Sequence, residues 1–409
     1  MKNLIKLIVL VAGLLYANVF NAQHTPYKVY DTTPVIIQQP YLVDPAETGI
    51  TIAWLTDSEC QSKIVYGEKG KGLLHTAEKQ INGLIPVDTK HTIRITNLKP
   101  GTTYEYKVMS RMVVKLKPYW PDMGNWVESA VYTFTTFSKK KPGATFSVIT
   151  DTHENIPNIQ NLLKMVDWPN TDFFVQTGDA LNSAESEKQM FRNWLSPIAS
   201  GLGSQVPFIY ARGNHDLRGP FARSWYDYMP NHTGKFYFAT NHGPAHFIIL
   251  DTGEDKPDST NVYSGLNNLK EYRKEELSWF KNHVATDPSV KGAPFRIVLM
   301  HDPQWGWMEE GETAKWTQTA NSANINLIFA GHEHRFKRIN PGEADGNKFT
   351  ILVLGQKQIA HVKVNNEFIS VEVRDQENKV VDAFQINRSG KLKELTEAAA
   401  VRNNKSGRN

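Results

Sequence analysis

The sequence predicts an all-β sandwich followed by an α/β (α+β) domain, and three observations support this prediction. Over residues 30–137, short runs of alternating apolar and polar residues are separated by Gly, Pro, Asp and Asn, which is typical of a β-sandwich. From residue 144 onwards, strand-like and helix-like segments alternate, which predicts sheets covered by helices. Five of these later strands end in carboxylate, amide or imidazole residues, at the edge where open α/β sheets place their chemistry.

The N-terminus reads as an export signal, predicted over residues 1–22. Lys2 and Lys6 precede the short apolar run 7–15, and Phe20-Asn21-Ala22 is a plausible cleavage site. The alternative is an uncleaved anchor, but the run is shorter than the ~20 apolar residues that span a bilayer. Cys60 is the single cysteine, so no intrachain disulfide can form. These features favour a periplasmic or secreted bacterial protein without a transmembrane segment.

Composition argues against a nucleic-acid partner. The formal net charge is +4, and the basic excess lies in the two termini: Lys2 and Lys6 at one end, and five basic against two acidic residues over 389–409 at the other. A nucleic-acid footprint is a clustered basic surface. We therefore expect no nucleic acid as a structural partner.

The predicted strands of the sandwich carry one specific motif. Tyr104 lies in the stretch Leu98–Tyr106 (LKPGTTYEY), which resembles the tyrosine corner of a fibronectin type III domain, and we expect a buried phenol bonded to backbone. Residues 137–143, rich in Lys with Pro and Gly, form a predicted linker. The predicted strands are 49–56, 62–67, 91–98, 102–109 and 128–136.

The second domain is predicted over residues 144–390, and 391–409 as a flexible basic tail. Its predicted strands are 145–150, 172–177, 207–212, 246–251, 295–300 and 325–330. Its predicted helices are 156–167, 185–195, 270–285 and 312–320. After His334 the pattern changes to antiparallel strands at 350–355, 360–366, 368–375 and 380–387.

The polar strand ends supply enough ligands for two metal ions. Asp151, His153 and His334 can surround one ion, and Asn214, His301 and His332 a second. Asp179 has two carboxylate oxygens and can bridge the two ions. This donor set suits Zn, Mn or Fe rather than Ca. Two ions ~3.5–4 Å apart activate a shared water and hold both oxygens of an in-line displacement at phosphorus.

Two further residues are candidates for catalysis. His215 directly follows the candidate ligand Asn214, so its imidazole can serve as a proton donor to a leaving oxygen, with Asp216 fixing its orientation. Trp305 and Trp307 follow His301 and can either line the mouth of the site or pack in the core.

The order Asp-x-His, Gly-Asp, Gly-Asn-His-Asp, His, Gly-His-x-His resembles the calcineurin-like metallophosphoesterase superfamily over residues 145–390. The preceding sandwich resembles the N-terminal domain of purple acid phosphatases. The resemblance implies two mixed β-sheets packed face to face and flanked by helices. It also implies a phosphoesterase with two metal ions, whose bridging hydroxide attacks phosphate monoesters in line. The same residues correspond to the family's two metal sites, and His215 to its catalytic acid.

The chain departs from the purple enzymes at two positions. Asn182 stands where they have the tyrosine whose phenolate colours ferric iron, and His153 stands where they have glycine. We therefore predict a colourless protein. The histidines found downstream of the His301 position in that family have no clear match here, which leaves the substrate open.

Two alternatives differ in function. The same site can serve a phosphodiesterase acting on nucleotides, lipid headgroups or polymers. The chain can also be a non-catalytic binding protein, although every expected ligand position is filled. The sequence leaves the phosphorylated substrate, the metals and the oligomeric state open.

Overall fold

The computed structural model of the chain describes residues 28–395. The predicted export signal, and the tail from residue 396 onwards, lie outside these residues. The predicted fold class is confirmed: an all-β domain precedes a domain of two mixed sheets flanked by helices. Within residues 28–395, no helix combines the length and apolar character needed to cross a bilayer.

The N-terminal domain is a β-sandwich built around one long, bent strand. The second strand, Ile50–Glu68, pairs with the fourth strand of the domain through its first half and with the fifth strand through its second half. The register is irregular between Leu55 and Cys60. The sequence predicted two separate strands here, which is wrong. The described strands are β1 (Ile36–Val43), β2 (Ile50–Glu68), β3 (His75–Ala77), β4 (Asp88–Ile95), β5 (Thr103–Lys115), β6 (Asp122–Glu128) and β7 (Tyr132–Thr135).

The core of the sandwich contains the predicted tyrosine corner. Trp54, Tyr106 and Phe134 are buried between the layers. The Tyr104 hydroxyl, also buried, accepts a hydrogen bond from the backbone N–H of Lys99 at 2.9 Å. This confirms the structural role expected for Tyr104.

The second domain contains two sheets. The first runs β20-β19-β18-β17-β8-β9-β10, and the second β11-β12-β13-β14-β16-β15. The strands are β8 (Gly143–Ile149), β9 (Phe173–Thr177), β10 (Pro207–Ala211), β11 (Phe238–His242), β12 (Ala245–Ile249), β13 (Phe295–Leu299), β14 (Leu327–Ala330), β15 (Lys337–Ile339), β16 (Thr350–Val353), β17 (Gln358–Asn365), β18 (Phe368–Asp375), β19 (Val380–Asn387) and β20 (Leu392–Glu394).

The two sheets pack face to face on an apolar core. Phe146 and Phe173 of the first sheet meet Phe247 and Phe329 of the second, with ring centroids 5.2–5.9 Å apart. Helices cover the outer faces of both sheets. They are α1 (Ile156–Leu163), α2 (Glu187–Met190), α3 (Ser196–Leu202), α4 (Leu269–Thr286), α5 (Pro288–Gly292) and α6 (Glu312–Ser322), with a π-helical turn over Phe191–Leu195 between α2 and α3.

Strand β1 joins the two domains into one sheet. It pairs antiparallel with β2 and parallel with β10, where Leu42 lies opposite Pro207. The buried Tyr41 hydroxyl donates to the Tyr228 carbonyl at 2.8 Å, and the Tyr106 hydroxyl donates to the Ser204 carbonyl at 2.7 Å. The domains therefore share backbone pairing as well as side-chain contacts.

The start of the predicted flexible tail is ordered. Leu392–Glu394 pairs antiparallel with β19, and Arg338 forms an ion pair with Glu394. The prediction of a flexible segment from residue 391 is therefore wrong over this strand, because β19 would otherwise leave an unpaired edge.

Candidate metal centre

The predicted site residues meet at one edge of the two sheets. Strands β8, β9 and β10 run parallel and end together, so the loops that follow them carry Asp151, Asp179 and Asn214 to the same place. Strands β13 and β14 of the second sheet end beside them and carry His301 and His332. Backbone bonds tie the loops together: Asp151 N–H donates to the Gly178 carbonyl at 3.1 Å.

Six residues that are candidate ligands or directly follow one have a left-handed backbone. This conformation is sterically unfavourable for residues with a Cβ and costs roughly 1–3 kcal/mol each. Such strain persists only where the surrounding structure enforces it, and it clusters at functional sites. The φ angles are 49° for Asp151, 42° for His153, 61° for Glu154, 48° for Asp179, 70° for His332 and 57° for His334.

Two glycines allow the loops to approach closely. A Cβ on Gly213 would lie 2.2 Å from Asp179 Oδ1, and a Cβ on Gly331 would lie 2.3 Å from Asp151 Oδ2. Both glycines therefore leave space that the two carboxylates occupy. This explains the Gly before Asn214 and the Gly before His332 in the sequence motifs.

The first ligand group consists of Asp151, His153, Asp179 and His334. Each offers one ligand atom, and these four atoms lie within 4.8 Å of one another. His153 Nε2 is 3.1 Å from His334 Nε2, and His334 Nε2 is 3.3 Å from Asp151 Oδ1. Imidazole nitrogens and carboxylate oxygens that converge in this way form a candidate metal site.

The second group consists of Asn214, His301 and His332, again with Asp179. His301 Nε2 lies 3.1 Å from Asn214 Oδ1 and 3.2 Å from Asp179 Oδ2, and His332 Nδ1 lies 3.2 Å from Asn214 Oδ1. His301 Nδ1 is 2.7 Å from the Thr177 carbonyl, which can only accept, so Nδ1 carries a proton. In neutral His301 the lone pair of Nε2 consequently faces two oxygen acceptors.

The arrangement of these atoms fits metal ions. Asp179 Oδ2 and His153 Nδ1 are buried and, within the described chain, have no partner with hydrogen-bonding geometry. Buried polar atoms in native proteins normally have partners. A divalent cation held by either ligand group would give these oxygens and the inward-facing lone pairs of the histidines a partner. The backbone bond to His301 Nδ1 is the kind of contact that orients a histidine ligand.

The pKa shifts also indicate a site for positive charge. Burial lowers the pKa of His301, but the carboxylates of Asp179 and Asp151 outweigh it and raise the pKa to about 10. Burial raises the pKa of Asp151, but hydrogen bonds with His153 and His334 outweigh it and lower the pKa. The centre therefore favours positive charge, either as protons on its histidines or as a metal ion.

His215 lies beside the first ligand group. Its ring centroid is 4.9 Å from that of His153, and its backbone N–H donates to Asp179 Oδ1 at 3.0 Å. Its Nδ1 donates to the Asn182 carbonyl at 2.7 Å, and its Nε2 accepts from Arg218 at 3.1 Å. Because a carbonyl only accepts and an arginine only donates, His215 is the neutral tautomer with its proton on Nδ1. Burial lowers the pKa of His215.

Asp216 does not orient His215, contrary to the prediction. Its carboxylate is fully buried and accepts from the backbone N–H groups of Asp179, Ala180 and Gly213 at 2.9–3.0 Å and from the Tyr210 hydroxyl. Burial, with the nearby charge of Asp179, raises the pKa of Asp216 to about 6. The Asn182 carbonyl takes the role expected of Asp216, and Asp216 holds the loop of Asp179 in place.

The sequence did not identify Arg218 and Glu254. Arg218 Nε and Nη2 donate to the two carboxylate oxygens of Glu254 at 2.9 and 2.8 Å, and Nη2 also donates to Asp255 at 3.1 Å. The Glu254 carbonyl accepts from Trp307 N–H at 2.8 Å, which fixes this loop to the one after His301. The only sequence signal was the position of Arg218, three residues after His215.

Glu154 was also missed, although it follows His153 directly. Its Oε1 accepts from Gln189 at 2.9 Å and from the backbone of Asn182 at 3.3 Å, and its Oε2 accepts from Asn193 at 2.9 Å. Glu154 therefore holds the loop whose carbonyl receives the His215 proton. A single acidic residue next to a candidate ligand carries no distinctive pattern in the sequence.

The two tryptophans after His301 have different surroundings. Trp305 is 3% exposed and its indole N–H donates to Thr317 Oγ1 at 3.1 Å, so it packs in the core. Trp307 is partly exposed and supports the loop of Glu254 through its backbone. Of the two roles left open, packing is the one that Trp305 has.

Family comparisons agree with the motifs. Residues 144–336 match the calcineurin-like phosphoesterase family, and residues 37–136 match the N-terminal domain of purple acid phosphatases. Both matches lie within the predicted domains.

The chain is similar to proteins that are named as acid phosphatases. The chain is 23% identical over 317 residues to probable purple acid phosphatase 20 of Arabidopsis thaliana, covering 71% of this chain and 66% of that protein. It is 22% identical to probable inactive purple acid phosphatase 1 of the same plant, covering 61% of this chain and 44% of that protein. It is 23% identical to acid phosphatase type 7 of Danio rerio, covering 50% and 46%. The chain thus spans between 44% and 66% of the length of these relatives.

Solved structures share the fold. Purple acid phosphatase PPD1 from yellow lupin seeds superimposes with a TM-score of 0.63 at 16% identity, covering 88% of this chain and 75% of that one. The structure of PhoD gives a TM-score of 0.57 at 11% identity, covering 88% and 91%. Residues 144–336 are therefore a calcineurin-like phosphoesterase domain, and residues 37–136 are an N-terminal domain of the purple acid phosphatase type.

Proposed function

We propose that this chain is an exported, metal-dependent phosphoesterase that hydrolyses phosphate monoesters. The observation that carries the proposal is the pair of ligand groups that share Asp179. Asp151, His153 and His334 lie on one side of its carboxylate, and His301 lies 3.2 Å from its Oδ2 on the other. Export rests on the predicted signal over residues 1–22.

The ligand roles follow from the two groups. Asp151, His153 and His334 would hold one ion, Asn214, His301 and His332 would hold the other, and Asp179 would contact both. When bound, the two ions would supply Lewis acidity and lower the pKa of a nearby water. The nitrogen and oxygen donors suit Zn, Mn or Fe.

The chain itself positions the substrate and handles protons. Asn214 and the loop of Asp179 face the same space, where the phosphoryl group is held in line. The bond from phosphorus to the ester oxygen breaks and its electron pair stays on that oxygen. The attacking water loses one proton, and the leaving oxygen gains one. His215 is the proposed donor of the proton to the leaving oxygen, because its ring lies at the edge of the first ligand group. Its Nε2 accepts from Arg218 and carries no proton, so it first takes up one proton from solvent, and the proton that leaves the attacking water returns to solvent.

The test is the substitution Asn214→Ala, with Asn366→Ala as the matched control. Asn366 is an exposed asparagine between β17 and β18, far from the motif loops in the fold. We expect Asn214→Ala to lose about 10²–10⁴-fold in phosphate release and part of its bound metal, while circular dichroism is unchanged. The control should match wild type in rate and metal content. Near-normal hydrolysis by Asn214→Ala would contradict this mechanism.

Substrate class is read from the same assay. Wild-type protein is given an aryl phosphate monoester and a bis-aryl phosphate diester side by side. The proposal expects the monoester to be hydrolysed faster. A faster diester would favour the phosphodiesterase alternative, and absence of turnover on both with metal bound would favour the non-catalytic one.

A further inference from the structure

Arg218 reaches the candidate site with one nitrogen that carboxylates leave unused. The fork of Nε and Nη2 is fully engaged by Glu254, with Asp255 as an additional acceptor. Nη1 is in contact with His215 Nε2 at 3.1 Å instead. An arginine with only a structural role is expected to donate its hydrogen bonds to carboxylates or carbonyls, whereas this Nη1 donates to a candidate catalytic imidazole.

The arginine is held rigidly. Glu254 is almost completely buried, with a side chain 1% exposed, whereas the side chain of Arg218 is 27% exposed. The Arg218 carbonyl accepts from Ala184 N–H at 2.7 Å. A Cβ on the next residue, Gly219, would lie 2.4 Å from the Ala184 carbonyl oxygen, so the backbone follows one tight path. A donor fixed in this way loses little conformational entropy on binding an anion.

Geometry allows Arg218 and His215 to share one ligand atom. Two nitrogens 3.1 Å apart can both lie within ordinary hydrogen-bond distance of a single oxygen. His215 Nε2 has no proton while it accepts from Arg218. Nη1 carries two N–H groups, so it can donate one of them to a substrate oxygen while the guanidinium stays in place.

We propose that Arg218 is a further catalytic residue, whose Nη1 donates a hydrogen bond to the leaving-group oxygen beside His215. The inference rests on the proposed phosphoesterase function. As the bond to phosphorus breaks, negative charge grows on this oxygen, and a fixed guanidinium N–H stabilises that charge more than it stabilises the ground state. Glu254 is a positioning residue that holds the guanidinium through Nε and Nη2, on the side away from His215.

The leaving group of the substrate provides the test. Arg218→Ala is assayed on an alkyl phosphate, whose leaving oxygen needs stabilisation, and on 2,4-dinitrophenyl phosphate, whose leaving oxygen does not. We expect a loss of about 10²–10³-fold in kcat/KM on the alkyl ester and less than about tenfold on the dinitrophenyl ester. Added guanidinium ion should restore part of the alkyl phosphate rate. Arg223→Ala is the matched control, because Arg223 is exposed on the neighbouring 3-10 segment Pro220–Asp227.

Further variants separate catalysis from folding. Arg218→Lys keeps the charge without the fork, and Glu254→Gln keeps the arginine but weakens its anchor. Both variants should retain their metal content. Both should lose more kcat/KM on the alkyl ester than on the dinitrophenyl ester, and each loss should be smaller than that of Arg218→Ala. If Arg218→Ala loses metal or thermal stability, these two variants decide the question.

Contrary outcomes are distinct. Equal losses on both esters, or rates within twofold of wild type, would overturn the role of Arg218 while leaving the phosphoesterase intact. A metal-loaded wild-type protein that hydrolyses neither ester would overturn the proposed function and this inference with it.

Discussion

Asp216 shows how a single residue can be placed correctly at a site and assigned the wrong task. It follows His215 in the sequence, which suggested a contact between their side chains. In the structure its carboxylate points inward and accepts three backbone N–H groups from two motif loops, so it fixes the loop of Asp179. Sequence proximity identified the site, but it could not indicate the direction of the side chain.

Asp216→Asn is predicted to destabilise the fold and weaken the metal centre. The amide nitrogen presents N–H groups to backbone donors, so at least one buried hydrogen bond is lost. We expect the free energy of unfolding to fall by about 2–4 kcal/mol, measured by urea denaturation. Asp227→Asn, which removes a surface ion pair with Lys90, should change it by less than about 1 kcal/mol. Equal stabilities for the two variants would contradict the assigned role.

Gly331→Ala is predicted to weaken metal binding. The new Cβ would lie 1.9 Å from Thr150 Oγ1 and 2.3 Å from Asp151 Oδ2, so the ligand Asp151 must move. Metal content of the purified variant is the measurement, and a drop below half of the wild-type value is expected. Gly292→Ala is the control, because a Cβ there meets no atom within 4 Å. Full metal content in Gly331→Ala would show that the loops are less tightly packed than described.

Asn182 leads to a spectroscopic prediction. In the described chain its side chain contacts Glu154 and the His153 carbonyl, and it offers no phenolate to a metal. Protein loaded with ferric iron should therefore lack a strong visible charge-transfer band. An intense band in the absorption spectrum of the loaded protein would show that another tyrosine reaches the iron.

At the scale of elements, the sequence predicted most strands and helices of the second domain within a few residues. The strands that lead to the site, β8, β9, β10, β13 and β14, are each a short apolar run followed by a polar motif. The sequence did not predict β1. The sequence of β1, Ile36–Val43 (IIQQPYLV), contains Pro40 and two glutamines, which weaken the strand pattern. Its partner β10 lies far along the chain, and such long-range pairing leaves no local signal. The bend that makes β2 one strand was missed for the same reason.

The role of β1 predicts that the two domains unfold together. Tyr41, 1% exposed, packs into the second domain and binds the Tyr228 carbonyl. Tyr41→Ala should lower the free energy of unfolding by about 3–5 kcal/mol, and heating should give one calorimetric transition in both proteins. Tyr119→Ala, at a position 82% exposed, should have little effect. Two separate transitions in wild type would contradict a shared sheet.

At the scale of the whole molecule, motif order was enough to predict the fold class and to bring the candidate ligands together. Residues whose role depends on contact with another side chain from a distant part of the sequence were not predictable. Arg218 and Glu254 belong to different loops and become neighbours only when β10 and β12 are in place. Their pairing depends on tertiary packing, whereas the ligands follow strand ends that the sequence itself marks.

Buried neutral histidines predict loss of stability in acid. Burial lowers the pKa of His91 to about 4, against a smaller opposite effect of Asp88, and lowers that of His246 to about 3. Below the ordinary histidine pKa near 6.5 these two histidines bind fewer protons in the folded chain than in the unfolded chain. Their contribution to stability should therefore fall as the pH drops from about 6.5 towards 4, by on the order of 2–3 kcal/mol for His91.

The measurement is urea denaturation at pH 7 and pH 4.5. In His91→Gln, where the amide can still bind Thr56, the decrease in the free energy of unfolding between these values should be smaller than in wild type. His75→Gln, which replaces an exposed histidine of β3, is the control. An identical pH dependence in His91→Gln and wild type would show that His91 does not contribute.

The proposed phosphoesterase depends on a pair of metal ions that share Asp179. Anomalous diffraction from crystals grown with manganese or zinc would locate these ions. We expect two peaks ~3.5–4 Å apart, one beside His153 and His334 and the other beside His301 and His332, with Asp179 between them. A map with no peak within coordination distance of Asp179 would contradict this proposal.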